Sequence, residues 1–322
     1  MSRLRDGGLR TVCAYGPAGV GNMAAGFDVL GAALAPLDGG LWGDLVEARE
    51  AEEPTLSCTG PFAHLLPDLP ADNLAWRARE AFARRLGKPL PAVALRLHKG
   101  LPVASGLGSS SATVVATIRA LDALLDHPLP EQELLAAAGE AEAHASGEPH
   151  LDNVAPALLG GLRLVDPRGE ARLLPFPDEL RFVLLVPELT LSTRVARAAL
   201  PGHVPLRLAV SHAQNLASLV HALHAGDREL LRACLRDLLA EPYRADLVRG
   251  FAAVQAAGRA AGAWGCSLSG AGPAVFAVAE QGAAAAIGEA MRQAWAAAGV
   301  AAAVRLCGLD RQGARIVADG CG

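Results

Sequence analysis

Residues Pro102 to Thr113 read Pro-Val-Ala-Ser-Gly-Leu-Gly-Ser-Ser-Ser-Ala-Thr, a glycine-flanked serine run whose residue types suit the holding of an anion. Glycine lets backbone approach a ligand closely, successive N–H groups at a helix start point outward, and the helix dipole adds partial positive charge there. The hydroxyls of Ser109, Ser110 and Ser111 can bond phosphate oxygens or a magnesium ion. A serine-capped helix behind a flexible turn would use the same residues without any ligand, so other parts of the chain must decide. Phosphate transfer also needs a divalent cation held by a carboxylate, and groups that position the acceptor. Glu140, Glu142 and Glu148 are the carboxylates at hand. The segment His150-Leu151-Asp152-Asn153-Val154-Ala155-Pro156 sets three polar groups before an apolar stretch, although Asp152 or Asn153 could serve simply as a helix cap. A second glycine turn, Ser267-Leu268-Ser269-Gly270-Ala271-Gly272-Pro273, could offer another concavity of N–H groups, or be only a tight turn. Arg194, Arg197 and Arg244 supply guanidiniums that could fork a carboxylate or phosphate, and Asn22 and Asp28 stand out as polar side chains in an apolar, glycine-rich stretch.

The elements that must position these groups follow from periodicity and punctuation. Strands are expected at Thr11 to Tyr15, Val29 to Ala35 and Leu45 to Ala48. Asp72-Asn73 caps a helix over Leu74 to Leu86, and strand Ala92 to His98 leads through the serine run into a helix from near Ala112 to about Leu125. Helices Glu131 to His144 and Asn153 to Leu159 and a strand Leu162 to Val165 follow. Pro167-Arg168-Gly169 is the expected boundary between two domains, residues 1–167 and 168–322. Beyond it come a strand at Arg181 to Val186, helices at Leu206 to His224, Arg228 to Ala240 and Leu247 to Ala261, and strand Ala274 to Ala279. Helix Ala283 to Ala298 and strand Ala302 to Cys307 close the chain. Strands and helices mix without strict alternation, so an α+β fold is expected rather than a doubly wound parallel sheet.

A chain of 322 residues can bury a sizeable core and more than one domain. Its formal net charge of −4 carries no basic excess, which argues against a nucleic-acid partner and leaves a small anion to be met by a few placed cations. Six scattered cysteines without Cys-x-x-Cys or Cys/His clusters argue against a zinc site and a disulfide framework, and fit reduced thiols in a cytoplasmic protein. The start lacks the apolar region of a secretory signal. The longest uncharged stretch, Ala260 to Ala279, holds four glycines and Pro273, so no membrane span is expected. No Gly-x-x-x-x-Gly-Lys-Ser/Thr loop is present. Gly19-Val20-Gly21-Asn22-Met23-Ala24 formally fits a dinucleotide-binding turn, but Pro36, Gly39 and Gly40 interrupt the region where that unit needs its helix and second strand.

Taken in order, these motifs resemble those of the GHMP small-molecule kinases. The phosphate motif of that family, Pro-x-x-x-Gly-Leu-Gly-Ser-Ser-Ala in form, is similar to Pro102 to Ala112. An N-terminal Asn-Leu-Gly-Pro-Gly-Phe-Asp motif is similar to Asn22 to Asp28, with Ala24-Ala25 in place of Gly-Pro, and the C-terminal glycine motif matches Ser269 to Pro273. His150 to Pro156, Thr193 to Arg197 and Glu241 to Arg244 resemble markers of the homoserine kinase branch. The resemblance implies a two-domain α+β fold, with an N-terminal domain like domain 2 of ribosomal protein S5 and a ferredoxin-like C-terminal domain. It further implies a cytoplasmic homodimer that uses ATP and magnesium to phosphorylate the side-chain hydroxyl of homoserine on the way to threonine.

For the site, the resemblance implies nucleotide contacts from Asn73, from Pro102, Val103, Ala104, Ser105, Gly106, Leu107, Gly108, Ser109, Ser110, Ser111 and Ala112, and from Ser269, Gly270 and Gly272. Magnesium would be held by Ser110 and Glu142, with Glu148 as the alternative carboxylate. Substrate contacts would come from Asn22, Asp28, His150, Asn153, Thr193, Arg197 and Arg244, with Asn22, Asn153 and Arg197 taking part in catalysis. An ammonium wants a carboxylate such as Asp28, and a substrate carboxylate wants a guanidinium such as Arg197 or Arg244. Related kinases often present an aspartate as base where this chain has Asn153, and an amide takes no proton at neutral pH, so positioning and charge neutralisation are expected to carry catalysis. Mevalonate- or shikimate-type kinases are the alternative within the family, and a catalytically silent binding protein the alternative outside it.

Overall fold

The computed structural model describes residues 4–6, 9–125, 129–147 and 150–318. In chain order the elements are β1 (Leu4–Asp6), β2 (Leu9–Pro17), β3 (Gly19–Gly21), β4 (Leu30–Pro36), β5 (Gly43–Glu50), β6 (Thr55–Thr59), α1 (Leu74–Leu86), β7 (Val93–His98), α2 (Ser109–Leu124), α3 (Glu131–Ser146) and α4 (Leu151–Leu159). There follow β8 (Leu162–Val165), β9 (Ala171–Leu174), β10 (Leu180–Pro187), α5 (Thr193–Ala198), α6 (Leu206–Ala225), α7 (Arg228–Cys234), α8 (Glu241–Arg244), α9 (Phe251–Ala260), β11 (Gly265–Leu268), β12 (Val275–Glu280), α10 (Ala284–Ala297), β13 (Ala302–Leu309) and β14 (Arg315–Ile316).

Two sheets form. One runs β1-β2-β5-β7-β6, with β14 also on β2; the other runs β11-β12-β10-β13-β4-β8-β9, with β3 on β4. All pairings are antiparallel except that of β6 with β7. The mixed α+β architecture is therefore as the unalternating pattern predicts. In β7 the alternation is strict, with Val93, Leu95 and Leu97 facing inward; α2 packs over the neighbouring β2 and β5 of the same sheet with an almost wholly buried surface of small residues. Helix α1 starts where Asn73 Oδ1 accepts the N–H of Ala75 at 2.9 Å and stops at Gly87, whose φ of +67° suits glycine.

Three expected boundaries shift for local reasons. Helix α2 begins at Ser109 rather than near Ala112, because Gly108 turns the chain at φ +65° and puts all three serines in the first helical turn. The expected helix Arg228 to Ala240 ends at Cys234, since Asp237 takes the N–H groups of Leu239, Ala240 and Glu241 and starts a separate turn. Helix α9 begins at Phe251, after the left-handed Gly250, rather than at Leu247. Cys13 is disulfide-bonded, contrary to reduced thiols throughout, and Cys58, Cys234, Cys266 and Cys307 are free. Among the described residues no helix is long and apolar enough to cross a membrane.

Candidate active site

Gly19 to Gly21 enters β3, and the chain then makes a turn instead of the helix that a dinucleotide-binding unit requires. That turn is built from left-handed residues: Asn22, Met23 and Ala24 have φ of 67°, 43° and 59°, and Asp28 has 57°. Left-handed backbone costs a non-glycine residue about 1–2 kcal/mol, and such strain persists where surrounding bonds over-determine the geometry. Here Gly26 N–H bonds Asn22 O at 2.7 Å, Asp28 N–H bonds Asn22 Oδ1 at 3.2 Å, and Asn22 Nδ2 donates to Gly270 O at 3.1 Å. Replacing Ala24 by glycine should relieve the torsion at the cost of one buried methyl, for a net gain of roughly half a kcal/mol. A thermal melt of Ala24→Gly is expected to shift upward by a degree or two, and an unchanged or lower midpoint would show the turn to be unstrained.

The phosphate-like loop is stitched to the C-terminal glycine turn. Ser269 Oγ donates to Gly106 O at 2.6 Å, Ala274 N–H to Ser105 O at 3.0 Å, and Gly106, at φ +81°, leaves no room for a Cβ, which would lie 2.5 Å from Ser269 O. Behind the loop lies a buried ionic cluster. Lys99 Nζ sits 2.5 Å from Asp44 Oδ2 and donates to Ser109 O at 2.8 Å, while Asp44 Oδ1 accepts the N–H groups of Gly100 and Leu101. Thr113 Oγ1 donates to Asp44 Oδ2 at 2.6 Å, so the first turn of α2 is anchored from below.

These loops frame a cleft of about 620 Å³. Of the residues expected from sequence, Asn22, Asp28, Asn73, Val103, Ala104, Ser105, Gly106, Gly108, Ser109, Ser110, Glu142, His150, Asn153, Thr193, Arg197, Arg244, Gly270 and Gly272 all line it. Five of the expected nucleotide contacts lie off its lining, namely Pro102, Leu107, Ser111, Ala112 and Ser269. Leu107 and Ala112 are wholly buried in the apolar core, Ser111 and Ser269 are equally buried, and Pro102 accepts Ser105 Oγ on its carbonyl at 2.8 Å.

On the cleft floor, Glu142 is 4% exposed and accepts Ser110 Oγ at 2.6 Å and Ser111 Oγ at 3.5 Å. Burial raises its carboxyl above the ordinary range, and the two serine bonds and the Lys99 charge oppose that rise. Glu140 instead meets Arg84 at 2.7 Å on the surface between α1 and α3, and Glu148 lies outside the described residues.

At the other end, Arg197 Nη1 bonds Asp28 Oδ2 at 2.6 Å and its Nη2 lies 3.5 Å from His150 Nδ1. Arg244 is buried against Ala196 O and Gly270 O at 3.1 and 3.2 Å. Both guanidiniums stack on Phe27, at 5.4 and 5.2 Å from the ring centre.

Matches to two family models cover much of the chain, GHMP kinases N terminal domain over residues 73–161 and GHMP kinases C terminal over residues 219–297. A homoserine kinase from Cytophaga hutchinsonii is 33% identical over 98% of this chain and 99% of its own, with a TM-score of 0.89. The chain belongs to the GHMP kinases. The L. major mevalonate kinase solved with R-mevalonate, 20% identical over 91% of this chain and 94% of its own at TM-score 0.66, shares the fold.

As a GHMP kinase the chain takes its phosphoryl group from ATP and passes it to a small molecule. Four residues in or beside this kinase's cleft escape a motif reading. Asp152 is 2% exposed, its Oδ2 accepts Asn153 Nδ2 at 3.2 Å, and its buried Oδ1 has no hydrogen-bond partner. Burial first, and the charge of Asp28 second, push its carboxyl up to about 7. Phe27 stands inside a recognised motif yet only the fold shows its two cations. Asp44 and Lys99 carried a legible signal: each occupies the inward phase of a strand pattern, after Leu97 in one case and before Val46 in the other, where an apolar residue is due.

Proposed function

We propose that this kinase phosphorylates the side-chain hydroxyl of L-homoserine to O-phospho-L-homoserine, a step towards threonine. The observation that carries the reading is the bipolar end of the cleft: two carboxylates, Asp28 and Asp152, beside two guanidiniums, Arg197 and Arg244. An amino acid brings an ammonium and a carboxylate to match them, and the similarity to the Cytophaga hutchinsonii enzyme supports the same substrate. Mevalonate and shikimate lack an ammonium and would bring no cation of their own to Asp28 and Asp152. A silent binding protein would have no need of the serine and glutamate on the cleft floor.

Glu142 and Ser110 present one carboxylate and one hydroxyl oxygen to the cleft, a donor set that suits magnesium. The ion would neutralise charge on the ATP phosphates when bound. Asn153, an amide beside Gly21, orients the acceptor and takes no proton. Catalysis on this reading rests on placing the hydroxyl in line and neutralising charge. The reading extends to a cytoplasmic homodimer, for which light scattering should return twice the chain mass.

The test is ADP release with homoserine, mevalonate, shikimate and threonine, each with ATP and magnesium. Turnover is expected to be highest by far with homoserine, and none with homoserine would sink the reading. Acidity should matter as well. Asp152 holds its proton below about 7, so the KM for an ammonium-bearing acceptor should fall by up to about tenfold between pH 6 and pH 8. Asp152→Asn should flatten that profile at a raised KM; an unaltered slope would remove Asp152 from the site. The free protein should in turn lose stability as pH rises from about 4 through 7, because the unfolded carboxyl ionises first.

A further inference from the structure

The acceptor end of the cleft carries its own ion pair. Asp28 is pinned: its backbone is left-handed at φ +57° and its N–H is held by Asn22 Oδ1 at 3.2 Å. Arg197 reaches it from α5, bonds Oδ2 at 2.6 Å, and sits over the Phe27 ring at 5.4 Å. His150 Nδ1 lies 3.9 Å from the other Asp28 oxygen and 3.5 Å from Arg197, so both charges are already engaged in the free site. Neither is deeply buried; Asp28 is 38% and Arg197 31% exposed, so a ligand can reach both.

We propose that Asp28 and Arg197 act as an exchangeable pair that selects zwitterions, because an acceptor must break this bond and supply a replacement charge to each half. The inference rests on the proposed amino-acid acceptor and concerns how the site rejects near neighbours. A zwitterion brings an ammonium to Asp28 and a carboxylate to Arg197, and each charge ends with one partner as it began. A hydroxy acid satisfies Arg197 but separates it from Asp28, leaving a carboxylate uncompensated in a cleft. An amino alcohol strands the guanidinium in the same way. Discrimination then comes from a penalty on the wrong ligand as well as from contacts to the right one.

A simple contact model and an exchange model part at one measurement. Acceptors would be homoserine, 4-hydroxybutyrate, which lacks the amino group, and 3-aminopropan-1-ol, which lacks the carboxylate. If Asp28 only contacts the ammonium, Asp28→Asn lowers kcat/KM for homoserine and leaves 4-hydroxybutyrate as it was. If the pair must be broken, Asp28→Asn raises kcat/KM for 4-hydroxybutyrate at least tenfold in absolute terms, through KM, while homoserine falls at least a hundredfold. Arg197→Gln should do the converse with 3-aminopropan-1-ol. Retained ATP binding by each variant, measured by calorimetry, confirms a folded nucleotide site. Constant or reduced turnover of 4-hydroxybutyrate by such a variant overturns the exchange and leaves the homoserine reading standing. Absence of homoserine turnover by the wild-type protein overturns that reading, and the exchange with it.

Discussion

Glu142→Gln is expected to lower turnover about a hundred- to a thousandfold while leaving a folded protein that still binds nucleotide. The side chain is buried on the cleft floor with Ser110 Oγ at 2.6 Å, and the amide is nearly isosteric, so its oxygen can keep that bond. What the substitution removes is the negative charge that would hold a divalent cation against the phosphates. Loss of one such preorganised electrostatic contact costs about 10²–10³ in rate. Titrating magnesium checks it directly. The variant should need at least about ten times more of the ion for half-maximal turnover. An unchanged magnesium requirement with a rate loss under tenfold would assign the cation to another carboxylate.

The second large effect is expected at a residue that touches no substrate. Gly31 on β4 faces the first turn of α4, and a Cβ there would lie 1.8 Å from Asp152 O and 3.0 Å from Pro156 Cγ. Gly31 is held on both sides, opposite Gly21 on β3 and Arg163 on β8, so the strand cannot retreat. Gly31→Ala must therefore lift the turn that carries Asp152 and Asn153, by more than an ångström if ordinary contact distance is to be restored. A misplacement of that size can cost about a hundredfold in rate. Acceptor kcat/KM should fall by that factor or more, with about 1–3 kcal/mol of lost stability. ATP affinity should stay within twofold, because Asn73 and the serine loop lie away from this contact. Full acceptor turnover by a soluble Gly31→Ala protein would mean that α4 is not seated by β4.

Much of this site was legible because its residues sit in short contiguous motifs. The serine run, the segment from His150 to Pro156 and the turn at Ser269 to Pro273 each present their chemistry within a dozen residues. What stayed hidden depends on long-range pairing. The bond from Asn22 to Gly270, 248 residues away, is one case, and that from Ser269 to Gly106, 163 residues away, is another. Asp152 read equally well as a cap; the fold puts His150 at the cap of α4 instead and leaves the buried Asp152 Oδ1 without a partner. Strands β6, β9 and β11 escaped notice because each has only four or five residues, too few for an alternation to declare itself. Pattern matching alone also does not separate residues that line the cleft from those, such as Leu107, Ser111, Ala112 and Ser269, whose side chains are buried in its wall.

Strand β4 lies between β8 and β13 in the second sheet, with Pro36 opposite Cys307 and Leu34 opposite Leu309. A ribosome emitting about 5–20 residues per second needs something like fifteen to fifty seconds to pass from one partner to the other. For that interval Leu34 to Pro36, at the far end of the strand bearing Gly31, lack their β13 partner, while Gly31 itself is already held between Gly21 and Arg163. The nascent chain can thus seat α4 on β4 early, whereas the serine loop waits for Ser269 and Ala274 and the acceptor end for Arg197 and Arg244. Competence to recognise either ligand therefore comes late in synthesis, and the interval before it is when chaperones have most reason to attend.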